Sequence, residues 1–511
     1  MRSSSLPIVT NRLLQLPPAL RRTFWSTAQA AAKEPSKPEI YDVVCVGGGP
    51  AGLSLLSALR SRPSTQRLKI ALIDSQDLTT SRTTAGEDVY SNRCSSLTPS
   101  SLRFLKNVGA WEHANAGRTQ PYHAMNVWDG VSGSRINFDP MDKQPGIMDL
   151  IPGSRWQASR QNHESEDEDV IATMCENNNL AASLLSRLKE TQGVDILDKT
   201  RVESIALGPD PQDEESLNLS QWPVVTLPDQ RQLAARLLVG ADGANSPVRQ
   251  FADIPAKGWD YGRHGVVATL TTDQSFSSDH LRTAYQRFLP TGPIALLPLP
   301  GNKASLVWST IPQQAAKLKQ LNKQDFTAMV NAAFRLLPVD ITYMLEHMPS
   351  GQLDELTWRE QSTNSTDLGL PSSFPRITDV QENSIASFPL RMRHADTYTG
   401  HRVALIGDAA HTIHPLAGQG LNLGLADAES LAAVIASGME VGADIGSCWC
   451  LDDYNGERWA KNNAMLGVID KLHKLYSAGS GPVVWGRSLG LDLVNRLGPL
   501  KGALMGAAAG R

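Results

Sequence analysis

The sequence has no disulfide framework, no apolar run long enough to cross a bilayer, and no excess of positive charge. Its five cysteines, Cys45, Cys94, Cys175, Cys448 and Cys450, are an odd number without C-x-x-C or zinc-ligand spacing. That pattern suits a reducing compartment, and it argues against a disulfide reductase and a metal centre. The best apolar stretch, Ile294 to Leu299, is short and carries Pro298, far below the ~20 residues of a membrane span. Lys and Arg number 48 against 52 Asp and Glu, a formal charge of -4. Nucleic-acid binders show the opposite bias, so no nucleic-acid partner is expected. With 511 residues, 41% hydrophobic and 20% charged, the chain has the composition of an ordinary globular protein and length for about two to four folding units.

Acid is missing from one further place, the first 33 residues. Arg2, Arg12, Arg21, Arg22 and Lys33 precede the first acid, Glu34, amid Ser3, Ser4, Ser5, Leu13, Leu14, Phe24 and Trp25. This Arg-rich, Ser-rich start reads as a mitochondrial transit peptide and lacks the continuous apolar region of a secretory signal. Cleavage after Arg22 would remove four positive charges.

Tyr41 to Val46 reads as a buried strand, followed by a glycine cluster, a Leu-rich helix through Arg60 and a second strand, Lys69 to Ile73. This is a βαβ unit. Gly47, Gly49 and Gly52 fit G-x-G-x-x-G. The first allows a tight turn, the second a close approach of backbone to a pyrophosphate, the third close packing of helix on strand. The pyrophosphate would sit on free N–H groups at the helix N-terminus. Asp74 ends the second strand 22 residues beyond Gly52, where a carboxylate can hold an unphosphorylated ribose, as in FAD or NAD.

Two later motifs select flavin. In the first, Leu238 and Val239 lead into Gly240-Ala241-Asp242-Gly243, then Ser246 as N-cap and Pro247 as first helical residue. In the second, the strand through Ile406 ends in Gly407-Asp408, and the chain continues through His411, His414, Pro415, Gly418-Gln419-Gly420, Asn422 and Asp427. Asp408 at a strand end can accept from a ribityl hydroxyl. Gly418 and Gly420 can bring N–H groups to the pyrimidine edge of an isoalloxazine, with the positive end of the following helix aimed at it. That helix, Leu421 to Ser437, is expected to stop at Gly438. His411 and His414 read as structural. A helix is expected over Leu180 to Leu188, a solvated loop over the acidic run Glu164 to Asp169, and a long loop over the Ser/Thr/Asn/Pro-rich stretch Ser362 to Gln381.

These three motifs, in this order over residues 40–470, resemble the flavoprotein monooxygenases of the para-hydroxybenzoate hydroxylase type. The resemblance implies an α/β fold: a Rossmann-like FAD-binding βαβ domain interleaved with a β-sheet substrate domain, with C-terminal helices. It places the transit peptide at 1–35, the FAD-binding domain at 36–115, 175–252 and 386–470, the substrate domain at 116–174 and 253–385, and a helical segment at 471–511. It implies Asp408 on the ribityl chain, Asp242 near both the FAD pyrophosphate and a visiting nicotinamide cofactor, Arg93 near the flavin, and Pro415 with the 418–420 loop along the ring.

Within that family, Tyr285 to Leu299, Ser305 to Thr310, Phe388-Pro389-Leu390 and His411 to Gly424 resemble the mitochondrial ubiquinone-biosynthesis hydroxylases. That resemblance implies a monooxygenase hydroxylating C5 of a polyprenylated phenol through a flavin C4a-hydroperoxide, with molecular oxygen as co-substrate. It also implies a ferredoxin and its reductase as donor, other coenzyme Q biosynthesis proteins as partners, and peripheral contact with the matrix face of the inner membrane. Arg263 departs from this pattern, which has Gln there. No catalytic base is named by spacing. Arg287 could face an anion or pair with an acid, and Gly292 to Pro300 could be a dry wall of the site or plain sheet core. The leucines of Leu489 to Leu500 could lie in a membrane interface or pack on the flavin domain. Other enzyme and non-enzyme readings are a hydroxylase of a soluble phenol using NAD(P)H directly and a non-catalytic flavoprotein scaffold. A flavin halogenase is excluded, because Trp308-Ser309-Thr310-Ile311-Pro312 lacks the second Trp of W-x-W-x-I-P.

Overall fold

The computed structural model describes residues 37–78, 89–138, 170–210, 217–275, 282–363, 368–413 and 418–476. The transit segment, the acidic run at 164–169, His414, Pro415 and the leucines beyond 476 lie outside the described residues.

The βαβ unit forms where the apolar pattern places it. The strand Glu39–Val46 is buried over its last four residues, the helix Pro50–Ser61 follows, and the strand Ile70–Ile73 is buried throughout. Continuous Val, Ile and Leu runs suit parallel strands covered on both faces. Four parallel pairings set the order of the first sheet: Val403–Leu405, Gln232–Gly240, Glu39–Val46, Ile70–Ile73 and Val194–Leu197. The helices Pro50–Ser61, Asn177–Thr191 and Gln419–Glu440 pack together on it.

The second sheet is mostly antiparallel. The long strands Ala256–Thr272 and Ala386–Ala395 pair along one side, and Lys303–Thr310, Gly292–Pro298, Thr283–Leu289 and Ala124–Asp129 continue it. Because strand side chains alternate between faces, each strand serves two environments. Tyr285, Ile294, Leu296, Leu306 and Trp308 face a core shared with the helices Pro312–Gln320, Lys323–Arg335, Pro338–His347 and Gln352–Ser362. Gln286, Phe288, Ala295, Leu297 and Val307 face a cavity. A small sheet, Cys94–Leu97, Ala172–Glu176 and Thr119–Tyr122, also contributes to the cavity wall.

Two expectations are corrected. The helix Gln419–Glu440 runs through Gly438 and stops at Val441, ahead of Gly442 with φ +73°. Gly438 is there for packing: a Cβ would lie 2.6 Å from Cys450 Sγ. The stretch from Ser362 to Gln381 is not all loop. Ile377–Val380 pairs with the end of Ala256–Thr272, but its exposed Thr378 and Asp379 hide it from the hydrophobic pattern.

Candidate active site

The parallel strands Glu39–Val46, Ile70–Ile73 and Gln232–Gly240, together with Val403–Leu405, all deliver their carboxyl ends to one cavity of about 2180 Å³. Ligands of open α/β sheets bind at that edge. An ordinary small-molecule pocket is roughly 300–1,000 Å³, so this one has room for a dinucleotide and a second molecule. Gly47, Gly49, Asp74, Arg93, Asp242, Gly243, Gly407, Asp408, Gly418 and Gly420 all line it; Gly52 stands just behind the wall.

The three glycines of the first turn differ as their positions require. Gly47 has φ +109°, and a Cβ there would lie 2.2 Å from Ala241 O. A Cβ on Gly52 would lie 2.1 Å from Gly47 O, so the helix can approach the strand only without a side chain. Gly49 has ordinary φ -70°, and a Cβ on it would meet nothing within 4 Å. Its backbone opens onto the cavity, a cradle that a side chain would fill. It begins the helix Pro50–Ser61 without a side-chain cap, leaving the helix N–H groups for an anion. The helix Gln419–Glu440 also begins uncapped, after Gly418 in left-handed conformation (φ 60°). Two positive helix ends therefore border the same space. Asp74 lies at the rim of the first turn, where it accepts from Gly48 N at 2.5 Å and Gln76 N at 2.7 Å.

Two carboxylates face the middle of the cavity. Asp242 accepts from Val248 N at 3.3 Å through Oδ2, while its buried Oδ1 has no hydrogen-bond partner among the described residues. Burial lifts its carboxyl above the usual range, opposed by hydrogen bonds from Ser246 and Val248 N–H. Asp408 is open to the cavity but ringed by protein, and this enclosure raises its carboxyl too, with His411 opposing. Ligand hydroxyls would complete both acceptors. Ser246 caps the short helix after Asp242, accepting from Arg249 N at 2.9 Å.

Residues between the motifs, rather than in them, hold these parts in place. Asp427, fully buried, accepts from Gly407 N at 3.1 Å, His411 Nε2 at 2.6 Å, Arg458 Nε at 2.9 Å and Asn462 Nδ2 at 3.0 Å. Burial alone would raise its pKa, but the His411 and Arg458 charges hold it down at about 2. His411 is thus structural, as expected. Asn422 donates to Ser96 O at 2.8 Å and accepts from Thr98 N and Ser101 Oγ, tying the second helix to the strand Cys94–Leu97. Glu176 pairs with buried Arg118 at 2.6 Å and accepts from Ser91 N at 2.6 Å. Asn177 N donates to Arg93 O at 2.9 Å, so this pair frames the segment that carries Arg93. Sequence reasoning missed Arg118, Glu176 and Arg458, whose partners lie 58 and 31 residues away. Only Glu176 carries a sequence signal, as an acid closing the mostly apolar run Val170 to Cys175; Arg118 and Arg458 stand among polar neighbours.

The remaining alternatives also resolve. Arg287 faces away from the cavity, fully buried, donating to Ala333 O at 2.9 Å with Asp129 nearby; burial pushes its pKa down to about 10. It faces no anion. Gly292–Pro298 is both wall and core, through Ala295 and Leu297 on one face and Ile294 and Leu296 on the other. Among the described residues no cluster of three or more His, Cys, Asp or Glu could hold a metal, and no helix is long and apolar enough to cross a membrane.

Residues 40–467 match the FAD binding domain family. The ubiquinone biosynthesis monooxygenase COQ6, mitochondrial, of Schizosaccharomyces pombe is 39% identical, the match covering 92% of each chain. That of Saccharomyces cerevisiae is 38% identical over 96% of this chain and 98% of its own, and that of Homo sapiens 34% over 93% of each. The chain belongs to the COQ6 family. As a COQ6-family member it is an FAD-dependent oxidoreductase, and its cofactor is FAD. The open cradle at Gly49, the two uncapped helix ends and the unpartnered Asp242 oxygen fit that group. In fold it is similar to p-nitrophenol 4-monooxygenase PnpA from Pseudomonas putida, with TM-score 0.59 at 17% identity over 92% of this chain and 97% of that one. It is likewise similar to PqsL, a probable FAD-dependent monooxygenase from Pseudomonas aeruginosa, with TM-score 0.57 at 19% identity over 89% and 99%. The FAD-binding α/β fold with an interleaved substrate sheet is therefore established.

Proposed function

We propose that this protein is a mitochondrial monooxygenase of ubiquinone biosynthesis that hydroxylates C5 of the aromatic ring of a polyprenylated phenol. The cavity carries this reading: it is larger than FAD requires, and beyond the flavin motifs its wall is apolar, built from Met125, Val127, Phe288, Ala295, Leu297 and Val307. When bound, FAD supplies the activation of molecular oxygen for electrophilic transfer to an electron-rich ring. The chain supplies the rest. Gly47, Gly49 and Gly52 admit the pyrophosphate to the helix end, and Asp74 takes the ribose. Asp408 accepts from the ribityl hydroxyls and Asp242 stands near the pyrophosphate, with Gly243 and Gly407 shaping their turns. Arg93, Gly418 and Gly420 border the ring. The apolar wall orients the phenol and keeps out water that would discharge the activated oxygen unproductively.

Electrons come from a ferredoxin and its reductase in this reading. The sequence carries one G-x-G-x-x-G turn within a βαβ unit, which serves FAD. The protein acts with other coenzyme Q biosynthesis proteins at the matrix face of the inner membrane. The test uses purified holoprotein, a reduced ferredoxin system, oxygen and a prenylated 4-hydroxybenzoate. Mass spectrometry and NMR should show one added oxygen at C5. Flavin reoxidation without hydroxylated product, or hydroxylation elsewhere on the ring, rejects the proposal.

A further inference from the structure

The strands Ala256–Thr272 and Ala386–Ala395 lose regular register between Asp260 and Arg263, and the bulge carries side chains to the surface. Trp259 is 41% exposed and Phe388 42% exposed, and Val468 and Leu475 of the helix Cys448–Tyr476 are also exposed. These belong to one place. Trp259 and Tyr261 rings lie 6.3 Å apart, and Lys474 Nζ lies 5.1 Å from the centre of the Trp259 ring, joining helix to bulge. Phe388, Leu390, Arg391, Arg393, Ile469 and Leu475 also line the cavity. The patch is therefore the cavity's rim.

The rim's charge opposes that of the chain. Lys257, Arg263, Arg391, Arg393, Lys471 and Lys474 stand against Asp260, Asp396 and Asp470, although the whole sequence is net negative. Each of those acids pairs with one cation: Asp260 with Arg391, Asp396 with Lys257, Asp470 with Lys474. Arg263, Arg393 and Lys471 have no carboxylate partner among the described residues. Lys257 and Lys474 side chains are highly exposed.

We propose that this rim docks on an anionic phospholipid surface, with Trp259 and Phe388 entering the interface and the surrounding cations facing lipid headgroups. Aromatic side chains and cations in this combination are what a membrane interface selects. Continuity with an apolar cavity favours a bilayer over a soluble protein partner. Every carbon that a polyprenyl chain exposes to water is penalised, so a mouth seated on the bilayer spares it that exposure. This site rests on the reading of the substrate as a polyprenylated phenol.

The test is co-sedimentation of full-length holoprotein with vesicles of phosphatidylcholine alone or mixed with phosphatidylglycerol. Wild type should bind the mixed vesicles and release in high salt. Trp259→Ser and the double variant Lys257→Glu/Lys471→Glu should each bind about tenfold more weakly or worse, with FAD content and turnover of a short-tailed soluble phenol unchanged. Trp358→Ser, at an exposed Trp on the helical layer, should bind as wild type and controls for general loss of surface aromatics. Indifference to anionic lipid, or variants that bind like wild type, overturns the proposal. So does loss of binding to an acidic electron-carrier protein with vesicle binding intact, which makes the rim a protein dock. Vesicle binding that follows the charge pattern while no prenylated phenol is hydroxylated supports the docking surface and sinks the proposed reaction instead.

Discussion

His411 Nε2 lies 2.6 Å from Asp427 Oδ2, both side chains completely enclosed. The same carboxylate receives Gly407 N–H and Arg458 Nε. One buried anion therefore fixes the turn that presents Asp408, the ring behind it and the helix that follows. Replacing it leaves the buried Arg458 without its counter-charge and His411 Nε2 without its carboxylate partner, and an orphaned buried ion costs about 3–5 kcal/mol. Asp427→Asn should lower thermal stability by that order and weaken FAD retention. The pH dependence has a definite sign. The folded pKa is depressed to about 2, so the stabilisation is present above the unfolded value near ~4 and is lost as pH falls from there toward 2. Acid titration should show wild type losing stability more steeply than Asp427→Asn in that window. Parallel acid limbs for the two proteins reject this account.

Gly49 and Gly52 separate binding from folding. Gly49→Val places its side chain in open cavity at an ordinary φ, so the apoprotein should melt as wild type does while FAD content falls to near zero. Gly52→Ala drives a methyl group into Gly47 O and should destabilise the apoprotein itself. Calorimetry of apoprotein with flavin absorbance after dialysis distinguishes them. A stoichiometrically yellow Gly49→Val protein means the first turn does not hold phosphate.

Asp408→Ala should lower FAD affinity about ten- to a hundredfold, the loss of one charge-assisted hydrogen bond of about 1.5–3 kcal/mol. Titration of apoprotein with FAD measures it directly, and a wild-type dissociation constant rejects the ribityl role.

What was readable in the sequence follows from how local each cause is. The strand, the turn and the helix of the first unit are set by neighbours: an apolar run, glycines that must lack side chains, and Pro50 at a helix start. Ser246 with Pro247 is equally local. Asp74, Asp242 and Asp408 stand out because each is an acid at the end of an apolar strand. The partnership of Asp427 with Arg458, and of Glu176 with Arg118, depends on how separate helices and strands pack, and no spacing rule announces it. Gly438 shows the converse error. A glycine after an apolar helix reads as a stop, yet Cys450 of the next helix requires it.

The Gly292–Pro298 strand offers the sharpest division of labour, because adjacent residues face opposite sides. Ile294 is fully buried against Trp308 and the helical layer; Ala295 faces the cavity. Truncation of Ile294 to Ala removes packing from a closed core, which costs about 2–5 kcal/mol, and leaves the cavity lining untouched. It should lower the melting temperature while the KM of the surviving enzyme for a prenylated phenol stays near wild type. Ala295→Phe does the reverse. Its ring enters space already open to solvent or ligand, so no buried neighbour must move and stability should hold. The volume it takes comes from the apolar wall proposed for the phenol, away from the glycine cradle, so FAD content should remain stoichiometric. The KM for a long-tailed phenol should rise by tenfold or more, or turnover should vanish, while flavin reduction by the electron donor continues. If Ala295→Phe hydroxylates the long-tailed phenol at wild-type KM, the substrate does not lie along this strand, and the apolar half of the cavity serves some other purpose.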